Sequence, residues 1–320
     1  MSQQEAGLLG TPQPPTEPQG PVRELLPGRR TELGPRGMLV NRTLPHRDRR
    51  MVGAWCFTDH FGPQDVADGP GMRVPPHPHT GLQTVTWLLS GEVLHRDSLG
   101  SAQAIHPGQL NLMTAGRGIA HAEESQPRRA PVLHGGQLWV ALPGVDRHTA
   151  PAFEHHDRLP VLQDGGVGVT VLVGELAGMR SPATTFSPLV GAQIALEPLT
   201  TAQLPLDPRF EHAALVVTGS AEVDGLRVSP GPLLYLGAGR DGLTVRSEVG
   251  TTLLLLGGEP FAERLVMWWN LIGADHEEIV AARQDWAAGR RFGVVPGFDG
   301  DPLPAPAMPT TPLRARGRVR

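Results

Sequence analysis

Apolar residues in this chain fall in short, punctuated runs. Residues 82–90 (LQTVTWLLS) are rich in Val, Thr and Trp and alternate in part, Gly91-Glu92 then marks a turn, and 93–97 resumes the pattern. Residues 137–143, 167–173, 193–196, 213–218 and 251–256 read the same way. Such residues suit a pleated, half-buried surface. Gly and Pro separate the runs at the spacing of roughly 8–12 residues typical of sandwiches and barrels. The pattern predicts an all-β fold with a short C-terminal helix. Asp275 can cap that helix, with Glu278 completing a capping box three residues on. Ile279, Ala282 and Trp286 share a face and Gly289 falls just past the end, so the helix is expected over 275–288.

Two strand-like segments recur. Residues 107–117 (PGQLNLMTAGR) resemble 230–240 (PGPLLYLGAGR) at an offset of 123, and 87–91 (WLLSG) resemble 215–219 (LVVTG) at an offset of 128. Matches in the same order, with the difference absorbed in a loop, predict two β-domains of one design. The boundary is expected near 145–160, where Pro143, Gly144, Pro151 and Pro160 cluster. The expected organisation is a disordered tail over 1–22, domains over 23–150 and 151–298, and a disordered Pro/Arg tail over 299–320. Arg314, Arg316, Arg318 and Arg320 at its end read as solvated, with weak anion binding the alternative.

Glycine (40) and proline (33) stand at about twice their usual share, which fits frequent turns. With apolar residues at 39%, the 320-residue chain can bury a sizeable core. The single cysteine, Cys56, excludes an internal disulfide and a thiolate-rich zinc module, and it reads as buried and inert. Lys is absent, the net charge is −4 and the pI is near 6.3, so no basic field for nucleic acid is expected. The apolar runs are too short to span a membrane as a helix, and the polar start (MSQQE) lacks the basic region of a secretory leader. A cytoplasmic protein is expected.

The chemistry concentrates at two pairs, His77 with His79 and His121 with Glu123. In an extended segment residues i and i+2 point to one face. A lone His-x-His among 13 histidines is readily a loop pair, here beside Pro75 and Pro76; a second i, i+2 pair changes that reading. Three imidazoles and one carboxylate suit Fe(II), Mn, Ni, Cu or Zn and leave coordination positions open. Gly116 and Gly118 fit a tight turn leading into the second strand.

These residues carry a family resemblance. Gly71, His77, His79 and Gly91 resemble the first cupin motif, and Pro107-Gly108 with His121 the second. More specifically, the chain is similar to the pirins, a bicupin family, through RTLPHR (42–47), MVGAWCFTDHFGP (51–63), HPHTG (77–81), HRDSLG (95–100) and MTAGRGIAHAE (113–123). The resemblance implies two cupin-type β-barrel domains, with a metal, usually iron, held by His77, His79, His121 and Glu123. It implies an activity like that of pirins that cleave quercetin, with Glu123 staying a ligand or swinging off to take the substrate's proton. The alternative it implies is a redox-sensing protein that binds and regulates a protein partner. The expected cofactor is Fe(II); the expected partners are a small aromatic substrate and O2, with no direct contact to nucleic acid or membrane.

Gln83 stands where the general cupin motif places Glu; it cannot act as a base, and its plainer role is a hydrogen bond to a neighbouring strand. Shifted by the repeat offsets, the two pairs land on Pro205 and Asp207 and on Thr244 and Arg246, so the C-terminal cup is expected to hold no metal, with His212 structural or at the surface. His95, Asp97, His106, Asp59 and His60 are candidates to flank the site. Trp55, Phe57 and Met113 either wall a flat aromatic pocket or fill the core, and His155-His156 is expected to lie solvated in the linker.

Overall fold

The structure, a computed structural model, describes residues 22–34, 38–69, 71–126 and 130–319. One sheet runs in the order Ala152–His156, Leu110–Thr114, Leu82–Ser90, Val132–Ala141, Trp55–Asp65, Met38–Leu44, Arg29–Leu33. The principal path of the other runs Glu24–Leu26, Leu233–Gly237, Glu211–Val223, Gly242–Gly258, Leu189–Leu196, Val167–Leu176, Val161–Asp164. The two orders correspond place by place. The recurrent segments around 110–114 and 233–237 hold the second place in each sheet, and those around 87–91 and 215–219 the third. The internal repeat thus reports a real duplication, and the all-β, two-domain expectation is met.

The edge strands are exchanged between the domains. Glu24–Leu26, from the start of the chain, pairs with Leu233–Tyr235 of the C-terminal sheet, while Ala152–His156 pairs with Leu110–Thr114 of the N-terminal sheet. The expected solvated linker is therefore partly a strand. His155 Nδ1 lies 2.7 Å from Asn111 Oδ1 and His156 Nε2 lies 3.1 Å from Glu154 Oε2, so neither ring is simply solvated. A continuous core joins the two domains through Trp55, Trp87 and Leu138 on one side and Ala213, Leu215 and Leu254 on the other. The Trp55 indole N–H is shared between the carbonyls of Val190 and Gly257 at 3.1 Å each, which satisfies a donor that burial would otherwise orphan.

A four-stranded sheet, in the order Arg73–His79, Ile119–Glu124, Val93–Asp97, Ala102–Ile105, completes the N-terminal cup. The helix spans His276–Ala287. Asp275 caps it by accepting from the Glu278 N–H at 2.9 Å, but Glu278 reaches back to the N–H of Ala274, one residue before the cap. Gly289 turns with φ +68° beyond the end. Ile279 and Ala282 pack on the hairpin formed by Val266–Trp268 and Leu271–Gly273.

The expected N-terminal tail lies outside the described residues except for Val22. The C-terminal expectation needs correction: through residue 319 the Pro/Arg segment lies docked along the body. Leu303 donates to Pro76 O and accepts from the Trp286 indole, both at 2.8 Å, Leu313 N–H donates to His276 Nδ1, and Arg316 and Leu265 exchange both backbone bonds. Proline brings no N–H to satisfy, and isolated apolar residues such as Met308, Leu313 and Ala315 suffice to anchor an extended strap. Composition averages over such residues and misses them. Among the described residues no helix is long and apolar enough to cross a membrane.

Candidate metal centre

The strands Arg73–His79 and Ile119–Glu124 pair antiparallel, with His121 opposite His77 and Glu123 opposite Val74. The first strand therefore carries one extra residue at Pro75-Pro76. Proline cannot donate to the ladder, so a bulge here gives up little. The bulge frees the Pro75 carbonyl to accept from His77 Nδ1 at 2.8 Å. His79 Nδ1 donates to Asn270 O at 2.9 Å. His121 Nδ1 lies 3.4 Å from His95 Nδ1, and His95 Nε2 lies 3.1 Å from Asp97 Oδ2. The other Asp97 oxygen accepts from the N–H groups of Leu99 and Ser101.

These partners assign the tautomers. Carbonyls and an ionised carboxylate only accept, so His77, His79 and His121 each carry the proton on Nδ1, the last through His95. Each Nε2 is left as a lone pair. The three ring centroids lie 4.4, 4.9 and 5.0 Å apart, and the Nε2 atoms of His79 and His121 are 3.1 Å apart. Two buried lone pairs so close repel unless a cation lies between them. The donor set and its tautomers thus fit a metal ion, and anchoring the second nitrogen is how ligand imidazoles are held.

Possible ligand atoms of His77, His79 and His121 fall within 4.8 Å of one another, as do those of His95, His121 and Glu123. Glu123 therefore groups with His121 and His95 rather than directly with His77 and His79, although it lines the same cavity. Burial, opposed by the Pro75 bond and helped by neighbouring His95, holds His77 at about 4. Burial and neighbouring imidazoles hold His79 and His121 well below their ordinary value. At neutral pH all three are uncharged, the form that binds metals. Burial pushes Glu123 up, against the opposing influence of His95, Thr86 and Gln137. The Thr86 hydroxyl lies 3.2 Å from Glu123 Oε1 and 2.7 Å from Gln137 Oε1, and the Gln137 amide nitrogen lies 3.4 Å from both Glu123 oxygens. Burial also raises Asp97, but bonds from His95 and Ser101 outweigh it and hold the carboxyl below its usual range.

The cavity measures about 300 Å³. Phe57 and Trp139 stack along its wall with centroids 3.9 Å apart and planes at 13°, and Trp139 meets His79 edge-on at 5.0 Å. The Arg42 guanidinium lies 4.3 Å from the Phe57 centroid and grips Asp59 with two bonds of 2.7 Å. Trp269 and Asn270 reach in from the C-terminal half of the chain; Trp269 has φ 54°, a strained value for a bulky residue, at the turn that presents the Asn270 carbonyl. A larger cavity of about 550 Å³, between the docked C-terminal segment and Met51, Leu265 and Met267, holds none of this titratable cluster.

The flanking candidates divide. His95 and Asp97 join the cluster, and Asp59 lines the cavity under Arg42. His60 instead faces His134, with Nε2 atoms 2.8 Å apart, and the half-exposed His106 lies 3.5 Å from Glu92. Gln83 donates to Thr114 Oγ1 and Thr184 O, on the opposite strand face from Thr84 and Thr86, so the plainer role is the one it has. Phe57 is a wall residue, whereas Trp55 and Met113 are core. Cys56 is buried, and burial pushes its thiol up. His212 is buried in the second domain. Sequence reasoning missed Thr86, Gln137, Trp139 and Asn270. The i, i+2 spacing of Gln137 and Trp139 was a signal for the second and third, and nothing local marked Asn270.

The sequence model of the pirin family matches residues 37–140, and that of the pirin C-terminal cupin domain matches residues 191–293. A Pseudomonas aeruginosa protein bearing the name "putative quercetin 2,3-dioxygenase" is 50% identical over 282 residues, 88% of this chain and 89% of that protein. A pirin-like protein of Caulobacter vibrioides is 38% identical over 289 residues, 87% of this chain and 97% of that one. The crystal structure of quercetin 2,3-dioxygenase from Acinetobacter baumannii matches with a TM-score of 0.88 and 40% identity, covering 92% of this chain and 97% of that one. With both halves matched in sequence and the duplicated sheets matched in structure, the chain belongs to the pirin family of bicupins.

Proposed function

We propose that this pirin is a dioxygenase that cleaves quercetin or a related flavonol, with His77, His79, His121 and Glu123 holding Fe(II). The observation that carries the reading is the convergence of three neutral Nε2 lone pairs beside a cavity walled by a flat aromatic pair. The relatives named for quercetin 2,3-dioxygenase support the substrate class. Mn, Ni, Cu and Zn accept the same donors. Bound there, the metal would supply Lewis acidity toward a substrate oxygen and redox chemistry with dioxygen.

The chain's own residues do the rest. The apolar edges of the stacked Phe57 and Trp139 flank a flat ring system and keep water from it. Glu123, raised by burial, is the group that takes the proton of the flavonol hydroxyl. Thr86 and Gln137 orient its oxygens. A cavity of about 300 Å³ lies at the small end of ligand pockets and suits one flavonol-sized molecule.

The test uses protein purified without a metal-binding tag. Metal is measured by elemental analysis, and quercetin absorbance and oxygen uptake are followed in the same sample. The expected result is near-stoichiometric iron with coupled loss of quercetin and oxygen, abolished by His121→Ala. Iron without turnover would refute the enzymatic reading in favour of a sensor that binds a partner. No metal after anaerobic reconstitution would refute the four-residue site.

A further inference from the structure

The cavity wall has a second polar feature that the metal centre does not use. Arg42 and Asp59 lie opposite each other on adjacent strands, and Asp59 is 1% exposed. Asp59 engages Nε and Nη2 of Arg42, while among the described residues Nη1 has no hydrogen-bond partner. A row of contacts connects this guanidinium to the histidines: Arg42 over Phe57, Phe57 stacked on Trp139, and Trp139 edge-on to His79. A flat molecule lying along that row has one end at the metal-binding imidazoles and the other at Arg42.

We propose that Arg42 is a substrate-recognition residue, donating from Nη1 to an oxygen carried by the end of the aromatic ligand remote from the histidines. The assignment rests on the flavonol reading and refines it. The ligand class is a planar aromatic with oxygen functions at both ends, the distal one a neutral hydroxyl or carbonyl. Charge selects the neutral form. Asp59 already balances Arg42, and Glu32 also lines the cavity, so a carboxylate or phosphate at this end would meet no uncompensated cation among the lining residues. Anchoring Arg42 through two bonds and the Phe57 face leaves little rotamer freedom to lose on binding.

The test is anaerobic calorimetric binding to the metal-loaded protein, which reads affinity without turnover. Quercetin is compared with 3-hydroxyflavone, which keeps the hydroxyl and carbonyl of the reacting ring and lacks every distal hydroxyl. Wild type is expected to prefer quercetin by about tenfold or more. Arg42→Leu should erase the preference and leave 3-hydroxyflavone within about twofold, a change too small to count as a lost bond. Because that variant strands buried Asp59, the apolar double replacement Arg42→Met with Asp59→Leu is measured beside it, with thermal melts of both. A preference retained in the variants, or equal loss of both ligands, would overturn the role of Arg42 and leave the flavonol reading standing. Failure of wild type to bind either ligand would refute the flavonol reading and this assignment together.

Discussion

Replacing Asp97 by Asn keeps the shape of the side chain but removes its charge and turns one acceptor into a donor. One Asp97 oxygen accepts from Leu99 N–H at 2.9 Å and Ser101 N–H at 3.0 Å, and the other faces His95 Nε2 at 3.1 Å. Asn must keep its carbonyl toward the two N–H groups, so its NH2 turns to His95. His95 then needs its lone pair on Nε2 and its proton on Nδ1. That proton points at His121 Nδ1, 3.4 Å away, which must accept it. The His121 proton moves to Nε2, which faces His79 Nε2 at 3.1 Å, and takes up the lone pair that would bind the metal. Outer-shell changes of this kind lower metal affinity about 10- to 100-fold, or about 1.4–2.8 kcal/mol. The lost charge-assisted bond costs the apo-protein about 1.5–3 kcal/mol. Chelator competition reads the first effect and urea unfolding of apo-protein the second. Metal affinity within twofold of wild type, in a variant destabilised by that amount, would refute the proton chain as what sets the His121 tautomer.

Glu123→Gln keeps one oxygen acceptor for Thr86 and Gln137 but removes the base and a ligand-type carboxylate, so quercetin turnover per bound metal ion should fall about 100-fold or more while circular dichroism stays unchanged. Burial, the largest influence, holds His212 at about 4, against an ordinary value of 6.5. Above pH 6.5 both folded and unfolded imidazoles are neutral; as pH falls from 6.5 to about 4 the unfolded chain takes a proton the native one refuses, so stability drops by up to roughly 3 kcal/mol. Urea unfolding across that window should show the slope, and His212→Asn should flatten part of it. Arg318→Ala removes the docked segment's partner from buried Glu211, which among the described residues keeps Gly53 N–H and Tyr235 OH. Because Arg318 is one-third exposed, the cost should be about 1–3 kcal/mol in urea unfolding, and a second change, Glu211→Gln, should recover part of it.

The i, i+2 spacing of His77 and His79, and of His121 and Glu123, was legible because strand geometry is local: alternate side chains share a face whatever the rest of the chain does. The capped helix and the internal repeat were legible for the same reason. Each is written within a few turns of backbone or in a short recurring segment. What faces what was not legible. His95 and Asp97 became the support of His121 only once the strands Val93–Asp97 and Ile119–Glu124 were paired in register. The carbonyl that orients His79 comes from Asn270, 191 residues away, carried in by a hairpin of the other half. Gln83 and His60, within the family-like stretches or beside them, make contacts outside the cavity, a result that depends on how the sheets close. The docked C-terminal strap shows the same division. Its composition describes a solvated chain, and its attachment depends on a surface built from residues far away in sequence. Sequence determined the fold class, the repeat and the ligand-type pairs because these depend on short-range covalent geometry. The tautomers, the cavity wall and the docked end were decided by tertiary structure, because hydrogen bonds and burial act between neighbours in space.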